Sequence, residues 1–455
     1  MKINNKLLKK YNVPVPRYTS YPTIPFWNET INGEEWKIVF QRQFEKTNMH
    51  DGISLYLHLP FCESLCTYCG CNKKITANHK VENSYIQTIL KEWRIYTSLM
   101  AEPPVIRELH LGGGTPTFFS PKNLKRLIEG ILDNSSIPLH HEFSIEGHPN
   151  NTTRAHLETL YNLGFRRISY GVQDNDPEVQ RIINRIQPIE NVRLAADNAR
   201  EIGFHSVNFD LIYGLPMQNI QRIEKTILQS IEMKPDRVAF YSYAHVPWTS
   251  RGQRLFNEND LPSAEEKMQL CQAGKRLFAE NGYSNIGMDH FALTTDSLFK
   301  AQQEGKLHRN FMGYTSQHTT LMLGLGVSSI SDAGIAFVQN QKSLHSYINA
   351  VDRNELPISR GYFLSDEDSA FRKYILDISC KGAAFFRKEN LPVLNEYSFP
   401  ELKKMEEDGL LTCNLEGLTV TPVGLNFIRN ICSAFDLKLL RKDAKLNGSL
   451  FAKAI

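Results

Sequence analysis

Six short β-rich runs, most of them followed by a helix-like stretch, constrain this chain more than any other feature. They begin at Ile53, Ile106, His141, Arg166, Ser206 and Arg237. Successive βα units predict a parallel sheet with right-handed crossovers. A closed TIM barrel needs eight such units, so six favour an open, partial (β/α)6 barrel in the α/β class. A doubly wound sheet is also compatible with this count.

Alternation along the runs indicates which side chains share a face. Phe143 and Ile145 oppose Glu146 and its polar neighbours, and the run from Ser206 sets its apolar residues against Asn208 and Asp210. In a barrel, the apolar faces would meet the helices and the polar faces would line the interior. Chemistry in such folds lies at the carboxyl ends of the strands. The residues at or just after those ends are Cys62, Gly112, Glu146, Gln173 and Gly214.

The pattern predicts three regions. Residues 1–35 form an N-terminal arm or lid, residues 36–345 a catalytic domain, and residues 346–455 a mostly helical C-terminal domain with winged-helix character. The last region has no basic stripe, so we expect it to pack on the barrel rather than bind nucleic acid.

Composition excludes several classes of protein. The 455 residues carry a formal net charge of only +3, which gives no reason to expect a nucleic-acid partner. No apolar run reaches the roughly 18–20 residues of a membrane span, and the first residues lack the apolar core of a signal peptide. We therefore expect a cytoplasmic monomer that binds no membrane.

Four of the eight cysteines lie close together in PFCESLCTYCGCNK, at the end of the first run. Cys62, Cys66 and Cys69 have C-x3-C-x2-C spacing, and three thiolates fit three corners of a [4Fe–4S] cluster. The fourth iron would be open to another ligand. A zinc site with Cys71 as its fourth ligand is the alternative.

This spacing resembles the signature of the radical S-adenosylmethionine (SAM) superfamily. The resemblance implies that the open iron binds the amino and carboxylate groups of SAM, and that Tyr68 contacts the adenine. The segment LHLGGGTP after the second run resembles the superfamily's glycine-rich SAM-binding edge, and glycine permits close approach of a ligand to the backbone.

Longer segments resemble the oxygen-independent coproporphyrinogen III oxidase family. They include PRYTSYP from Pro16, GVQDNDPEVQRIINR from Gly171, LHRNFMGYT from Leu307 and GVSSIS from Gly326. The resemblance implies oxidative decarboxylation of two propionates of coproporphyrinogen III to vinyl groups, giving protoporphyrinogen IX in haem biosynthesis. It also implies two SAM molecules and an electron donor such as a flavodoxin or ferredoxin.

The same resemblance implies the site residues. The residues predicted to contact SAM are Tyr56, Tyr68, Gly113, Gly114, Thr115, Glu146, Gln173, Arg185 and Asp210, and Ala244 and Ile330 would do so through the backbone. Arg185 suits a carboxylate, whereas Glu146 and Asp210 suit ribose hydroxyls or a sulfonium charge. Tyr56, His58 and Glu146 are the catalytic candidates, although His58 could equally have a structural role.

Two arginines are candidates for binding the substrate. Coproporphyrinogen carries four carboxylates, and Arg is the best-suited donor to them. Arg17 and Arg309 would lie near the mouth of the barrel, with PRYTSYP acting as a lid that excludes water and oxygen. The alternative is an ordinary arm that packs its aromatic residues on the barrel.

One segment departs from the family pattern. Many members continue after the glutamate with Ile-Asp-Pro-Arg, whereas Gly147, His148, Pro149 and Asn150 follow Glu146 here. The remaining alternatives are a haem-delivering relative with the same barrel, a SAM-dependent haem-degrading enzyme and a zinc-stabilised binding module.

Overall fold

The computed structural model describes residues 5–28, 31–441 and 451–453. Its strands, in chain order, are β1 Ile53–Leu59, β2 Phe61–Cys62, β3 Lys74–Ile75, β4 Ile106–Gly113, β5 Glu142–Gly147, β6 Phe165–Gln173, β7 Ser206–Tyr213, β8 Arg237–Ser242, β9 Tyr283–Asn285, β10 His290–Leu293, β11 His308–Asn310, β12 Gly313–Thr315, β13 Leu321–Leu325, β14 Ile330–Asp332, β15 Ala336–Asn340, β16 Ile358–Phe363, β17 Ala383–Phe385, β18 Leu411–Cys413 and β19 Gly417–Val420.

The α-helices are α1 Asn5–Tyr11, α2 Gly33–Thr47, α3 Val81–Thr97, α4 Pro121–Leu132, α5 Arg154–Asn162, α6 Pro177–Ile182, α7 Ile189–Ile202, α8 Ile220–Glu232, α9 Ala264–Glu280, α10 Ser297–Gln303, α11 Leu344–Asp352, α12 Asp366–Lys381, α13 Leu391–Val393, α14 Phe399–Glu407, α15 Ile428–Ser433 and α16 Leu437–Leu440. Short 3-10 turns cover Ile24–Phe26, Pro116–Phe118, Arg251–Arg254, Glu258–Asp260, Lys388–Asn390 and Gly424–Phe427, and a π turn covers Leu394–Ser398.

The six predicted strands are β1, β4, β5, β6, β7 and β8. They lie side by side in that order, and every neighbouring pair is parallel. The order contains no reversal, which separates a partial barrel from a doubly wound sheet. The predicted partial (β/α)6 barrel is therefore confirmed.

The sheet continues beyond both predicted edges. β13 pairs in parallel with β1, and β14, β15 and β16 follow in antiparallel order. On the other side, β10 and β9 add antiparallel strands to β8. The described chain thus forms a sheet of twelve strands around the six-strand core.

The faces of the strands agree with the predicted alternation. Phe143 and Ile145 of β5 are buried, whereas Glu142, Ser144 and Glu146 of the same strand are half-buried on the opposite face. At the start of β8, Arg237 forms a buried ion pair with Asp296, in which Nε and Oδ2 are 2.8 Å apart.

Aromatic side chains anchor the segment 5–28 to the rest of the fold. Tyr18, Tyr21 and Trp27 are buried, and the Trp27 ring stacks on Phe337 with centroids 5.2 Å apart. The Arg309 guanidinium donates to the backbone carbonyls of Arg17 and Tyr18, at 2.9 and 2.8 Å. The arm is therefore held to the barrel by backbone contacts as well as by aromatic burial.

The C-terminal region combines helices with a small sheet of order β17-β19-β18. β16, at 358–363, belongs to the large sheet, although it lies within the region predicted to be separate. The division at residues 35 and 345 stays a prediction. No helix in the described ranges has the length and apolarity needed to cross a membrane.

Candidate active site

A loop that follows β1 carries the clustered cysteines. Its base is closed by the parallel pairing of β2 with β3, which brings Cys62 opposite Ile75. Cys62, Cys66 and Cys69 all line one cavity of 640 Å³, and so does Cys71. The three predicted ligands therefore face a common space at the carboxyl edge of the sheet.

Each cysteine of the triad has a different neighbour. The Thr115 hydroxyl donates to the Cys62 sulfur at 3.3 Å, and the Arg185 guanidinium approaches the Cys66 sulfur at 3.6 Å. Burial raises the pKa of the Cys62 thiol to about 11. The neighbouring Cys71 thiol, and then the charge of Lys73, lower the pKa of Cys69 to about 6. Metal binding would have to displace the Cys62 proton.

The glycine-rich segment brings the end of β4 against the end of β1. Gly113 has a φ of +118°, and a Cβ on it would lie 2.8 Å from the His58 ring. A Cβ on Gly114 would lie 2.6 Å from the Pro60 carbonyl. Both positions require glycine, and both line the cavity next to Cys62.

Two carboxylates, those of Glu146 and Asp210, line the same cavity. Glu146 accepts from the Gly113 amide at 3.1 Å, and its Oε1 is 3.4 Å from His110 Nε2. Asp210 accepts from the Ser169 hydroxyl at 3.1 Å. Burial, and then the charge of Glu146, raise the pKa of Asp210 to about 7. Asp210 can therefore be neutral or charged near neutral pH, according to the ligand beside it.

Arg185 and Lys73 are cationic residues that line the cavity, and Arg185 is the predicted partner of SAM. It follows α6, and its guanidinium donates to the Gly171 carbonyl and toward Cys66. Its Nε is buried with no hydrogen-bond partner in the described structure. An unpaired buried donor in a polar cavity fits an anionic ligand group.

The structure places most of the predicted SAM residues in this one cavity. Those that line it with the cysteines are Tyr68, Gly113, Gly114, Thr115, Glu146, Gln173, Arg185 and Asp210. Tyr56 and His58 lie behind its wall, where the Tyr56 hydroxyl is 3.1 Å from His58 Nδ1. His58 Nε2 is 2.8 Å from the Asn72 carbonyl, so His58 supports the base of the cysteine loop.

Ala244, Ile330, Arg17 and Arg309 do not line the cavity. The Ala244 carbonyl accepts from Gln253, at 3.1 Å, and the same amide donates to the Tyr68 carbonyl at 3.0 Å. Ile330 is in β14, paired with Gln339 of β15. Arg309 is buried against the arm, as described above.

The residues that the sequence did not single out as ligands lie mostly in loops after β5 and α6. Among those lining the cavity are Asn150, Asn151, Ser169, Asn184, Ile186 and His148. Burial and the charge of Arg185 lower the pKa of His148 to about 3, so this histidine is neutral. Its position two residues after Glu146, where the family pattern is broken, was the available signal in the sequence.

Comparison with known proteins identifies the family. A model of the radical SAM superfamily matches residues 56–229. The oxygen-independent coproporphyrinogen III oxidase of Synechocystis sp. is 38% identical, covering 99% of this chain and 97% of the relative. That of Escherichia coli is 39% identical, covering 96% and 95%. The chain belongs to the oxygen-independent coproporphyrinogen III oxidase family.

A solved structure extends the similarity to the whole fold. The coproporphyrinogen III oxidase HemN from Escherichia coli, described as a radical SAM enzyme, aligns with a TM-score of 0.88. It is 36% identical, and the alignment covers 96% of this chain and 99% of that one. The resemblance read from the sequence motifs is confirmed.

Membership of the radical SAM superfamily brings two cofactors, a [4Fe–4S] cluster and SAM. The residues present fit them, because three thiols and an unpaired buried guanidinium donor face one cavity. Thiolates suit iron, and a guanidinium suits the carboxylate of the SAM methionine group. A zinc-stabilised binding module does not account for this family membership.

Proposed function

We propose that the protein catalyses the oxygen-independent oxidative decarboxylation of coproporphyrinogen III to protoporphyrinogen IX, in anaerobic haem biosynthesis. The observation that carries the proposal is the convergence of Cys62, Cys66, Cys69 and Arg185 on one cavity. It occurs in a chain that aligns over nearly its full length with oxygen-independent coproporphyrinogen III oxidases.

Two propionates become vinyl groups. Each loses one hydrogen atom, one CO₂ and one electron, and the electron passes to an acceptor. The chemistry supplied by the bound cofactors is reductive cleavage of SAM to methionine and a hydrogen-abstracting 5′-deoxyadenosyl radical. One cleavage per propionate requires two SAM molecules in all.

Different residues would bind the cluster and SAM. Cys62, Cys66 and Cys69 would bind three irons, which leaves the fourth for SAM. Arg185 would pair with the SAM carboxylate, because its buried Nε lacks a partner. The backbone at Gly113 and Gly114, together with Thr115, would allow the methionine group to approach.

Other polar residues of the cavity would hold the nucleoside. Glu146 and Asp210 would accept from ribose hydroxyls or face the sulfonium charge, with Gln173 and Tyr68 beside the adenine. Tyr56 and His58 would act indirectly, because the hydrogen bond between them fixes the His58 ring against Gly113. The carbonyls of Ala244 and Ile330 would contact SAM from neighbouring segments.

We further propose that the enzyme is a cytoplasmic monomer that receives electrons from a flavodoxin or ferredoxin. The arm would serve as a lid over the barrel, and the C-terminal region would close its open side. Arg17 and Arg309 would lie at the mouth. These roles are supported by the family resemblance and by the position of the arm.

An anaerobic assay tests the proposed function. The reconstituted protein is supplied with SAM, a reductant and coproporphyrinogen III, and tetrapyrrole products are separated after oxidation. Protoporphyrin IX should form, and it should be absent without SAM or with a Cys66→Ala variant. An intact cluster that cleaves SAM but leaves all four propionates in place would contradict the proposal.

A further inference from the structure

Two cationic side chains meet at the carboxyl end of β8. The Arg17 Nη2 donates to the Ser242 carbonyl at 2.6 Å, and the Lys267 Nζ donates to the Tyr243 carbonyl at 2.7 Å. Arg17 comes from the N-terminal arm and Lys267 from the first turn of α9. The two charges are therefore held on consecutive peptide groups by two segments that are far apart in the chain.

Neither cation has a carboxylate partner in the part of the chain that the structure describes. Both are half-buried, and each is satisfied by a neutral carbonyl. Burial, and then the positive charges of Arg17 and Arg429, lower the pKa of Lys267 to about 7. Like charges brought together away from water repel each other, and an anion between them would relieve that repulsion.

The position of the pair relates it to the active site. The next carbonyl along the chain, that of Ala244, is joined through the buried Gln253 amide to the Tyr68 carbonyl of the cysteine loop. The Arg17 guanidinium also lies 5.7 Å from the centroid of Tyr241, on a strand adjacent to the one that carries Asp210. The cations are thus bound at the carboxyl end of β8, next to a backbone segment that is linked to the cysteine loop.

We propose that Arg17 and Lys267 form a carboxylate-binding site that anchors one propionate of the tetrapyrrole substrate. The inference rests on the proposed function, because that function supplies a ligand with four carboxylates. A guanidinium and an ammonium on adjacent carbonyls can each turn a donor toward one carboxylate, whereas Arg309 donates inward to the arm. Lys267 is then a specificity-determining residue for an acidic substrate.

The test uses the reconstituted full-length protein and the variant Lys267→Met, which keeps an unbranched side chain one atom shorter and removes its charge. Lys225→Met, at an exposed lysine of α8, is the matched control. The probes are coproporphyrin III, its uncharged tetramethyl ester in the same detergent buffer, and SAM. Binding of the two porphyrins is followed by their fluorescence and binding of SAM by equilibrium dialysis, and KM is measured for coproporphyrinogen III.

Lys267→Met should weaken binding of coproporphyrin III at least tenfold and raise the KM to a similar extent. Its affinity for the ester and for SAM should be unchanged, and Lys267→Arg should restore binding of the acid. Arg17→Gln tests the same site from the arm if Lys267→Met fails to assemble its cluster. Equal losses for acid and ester, or no loss for the acid, would overturn the inference.

The outcomes also separate this inference from the proposed function. If the unmodified protein forms protoporphyrinogen IX and Lys267→Met retains its KM, the carboxylate site is wrong and the function stands. If the unmodified protein forms no protoporphyrinogen IX, the proposed function itself is wrong.

Discussion

Cys71 lies close to the three predicted cluster ligands, although it is not predicted to be one of them. It lies two residues after Cys69, lines the same cavity, and its thiol contacts that of Cys69. A fourth thiolate on the cluster would occupy the iron that SAM needs. We therefore propose that Cys62, Cys66 and Cys69 bind the cluster and that Cys71 is a neighbour that is not a ligand.

The first prediction tests this assignment by substitution. Replacing Cys62, Cys66 or Cys69 by Ala removes one thiolate, so each variant should lose most of its bound iron. Cys71→Ala should retain about four irons per chain, the content of one [4Fe–4S] cluster. Iron and acid-labile sulfide are measured after anaerobic reconstitution. Loss of iron from Cys71→Ala would contradict the three-ligand assignment.

The second prediction concerns the contribution of Arg185 to SAM binding. A hydrogen bond to a charged group contributes about 1.5–3 kcal/mol, so Arg185→Gln should weaken SAM binding by about tenfold or more. Cluster content should be retained, because the guanidinium is not a metal ligand. Equilibrium binding of SAM is compared with that of the control variant Arg181→Gln, which replaces an exposed arginine of α6. Unchanged SAM affinity would remove Arg185 from the site.

At the scale of elements, α3 holds the ends of two strands in place. Glu92 is fully buried and accepts from the Gly326 amide, the Asn340 side chain and the Tyr347 hydroxyl, at 2.8, 2.6 and 2.6 Å. One helix thereby fixes the loop between β13 and β14, which leads directly to Ile330.

The third prediction concerns the pH dependence of stability. Burial raises the pKa of Glu92 from 4.5 to about 7. The folded state then holds this proton more tightly than the unfolded state does. Protonation of Glu92 therefore makes its full contribution to stability below pH 4.5, and this contribution is lost as the pH rises through 7. Glu92→Gln removes the titrating carboxyl group. Between pH 5 and pH 8 its free energy of unfolding should therefore fall by roughly 2–3 kcal/mol less than that of the unmodified protein.

Denaturant unfolding at the two pH values measures the effect, with Glu45→Gln on the exposed face of α2 as the control. Glu92→Ala leaves three donors without an acceptor, at a cost of about 1–3 kcal/mol each, so it should be destabilised at both pH values. A Glu92→Gln profile parallel to that of the unmodified protein would show that Glu92 does not titrate in this range.

The elements differ in how far the sequence could predict them. β5 alternates buried and half-buried residues, and its two faces could be assigned from Phe143, Ile145 and Glu146. β13 is buried throughout and β14 has three residues, so neither carries an alternating pattern. β13 pairs with β1 and β14 pairs with β13, and the pairing with β1 joins distant parts of the chain, which no local pattern reports.

The same contrast applies to the site. The cysteine spacing and the glycine segment predicted one wall of the cavity, because their chemistry depends on residues close together in sequence. His148 and Asn184 reach the cavity from loops that only the fold brings together. Lys267 could not be chosen among the many lysines, since its position beside Arg17 depends on the packing of α9 against the arm.

At the scale of the whole molecule, the two termini of the described chain close on each other. The Tyr18 hydroxyl donates to Asp436 at 3.1 Å, and the Asn430 side chain donates to the Tyr11 carbonyl at 2.9 Å. Tyr18, Tyr21 and Leu437 belong to the same hydrophobic core as the barrel strands. The prediction that the arm is a lid could be tested by deleting residues 1–27, but the deletion would expose that core. Substitutions within the arm therefore test the prediction without exposing the core.

The last prediction concerns the stoichiometry of the complete reaction. Each propionate loses its hydrogen atom in a separate event, and each event consumes one SAM. Formation of one protoporphyrinogen IX should therefore be accompanied by two 5′-deoxyadenosines and two methionines. The three products are quantified from one anaerobic reaction, after subtracting the SAM cleaved in a parallel reaction without coproporphyrinogen III. A Cys66→Ala variant supplies the blank. A corrected ratio near one would show that SAM is regenerated between the two decarboxylations, and the two-cleavage scheme would then be wrong.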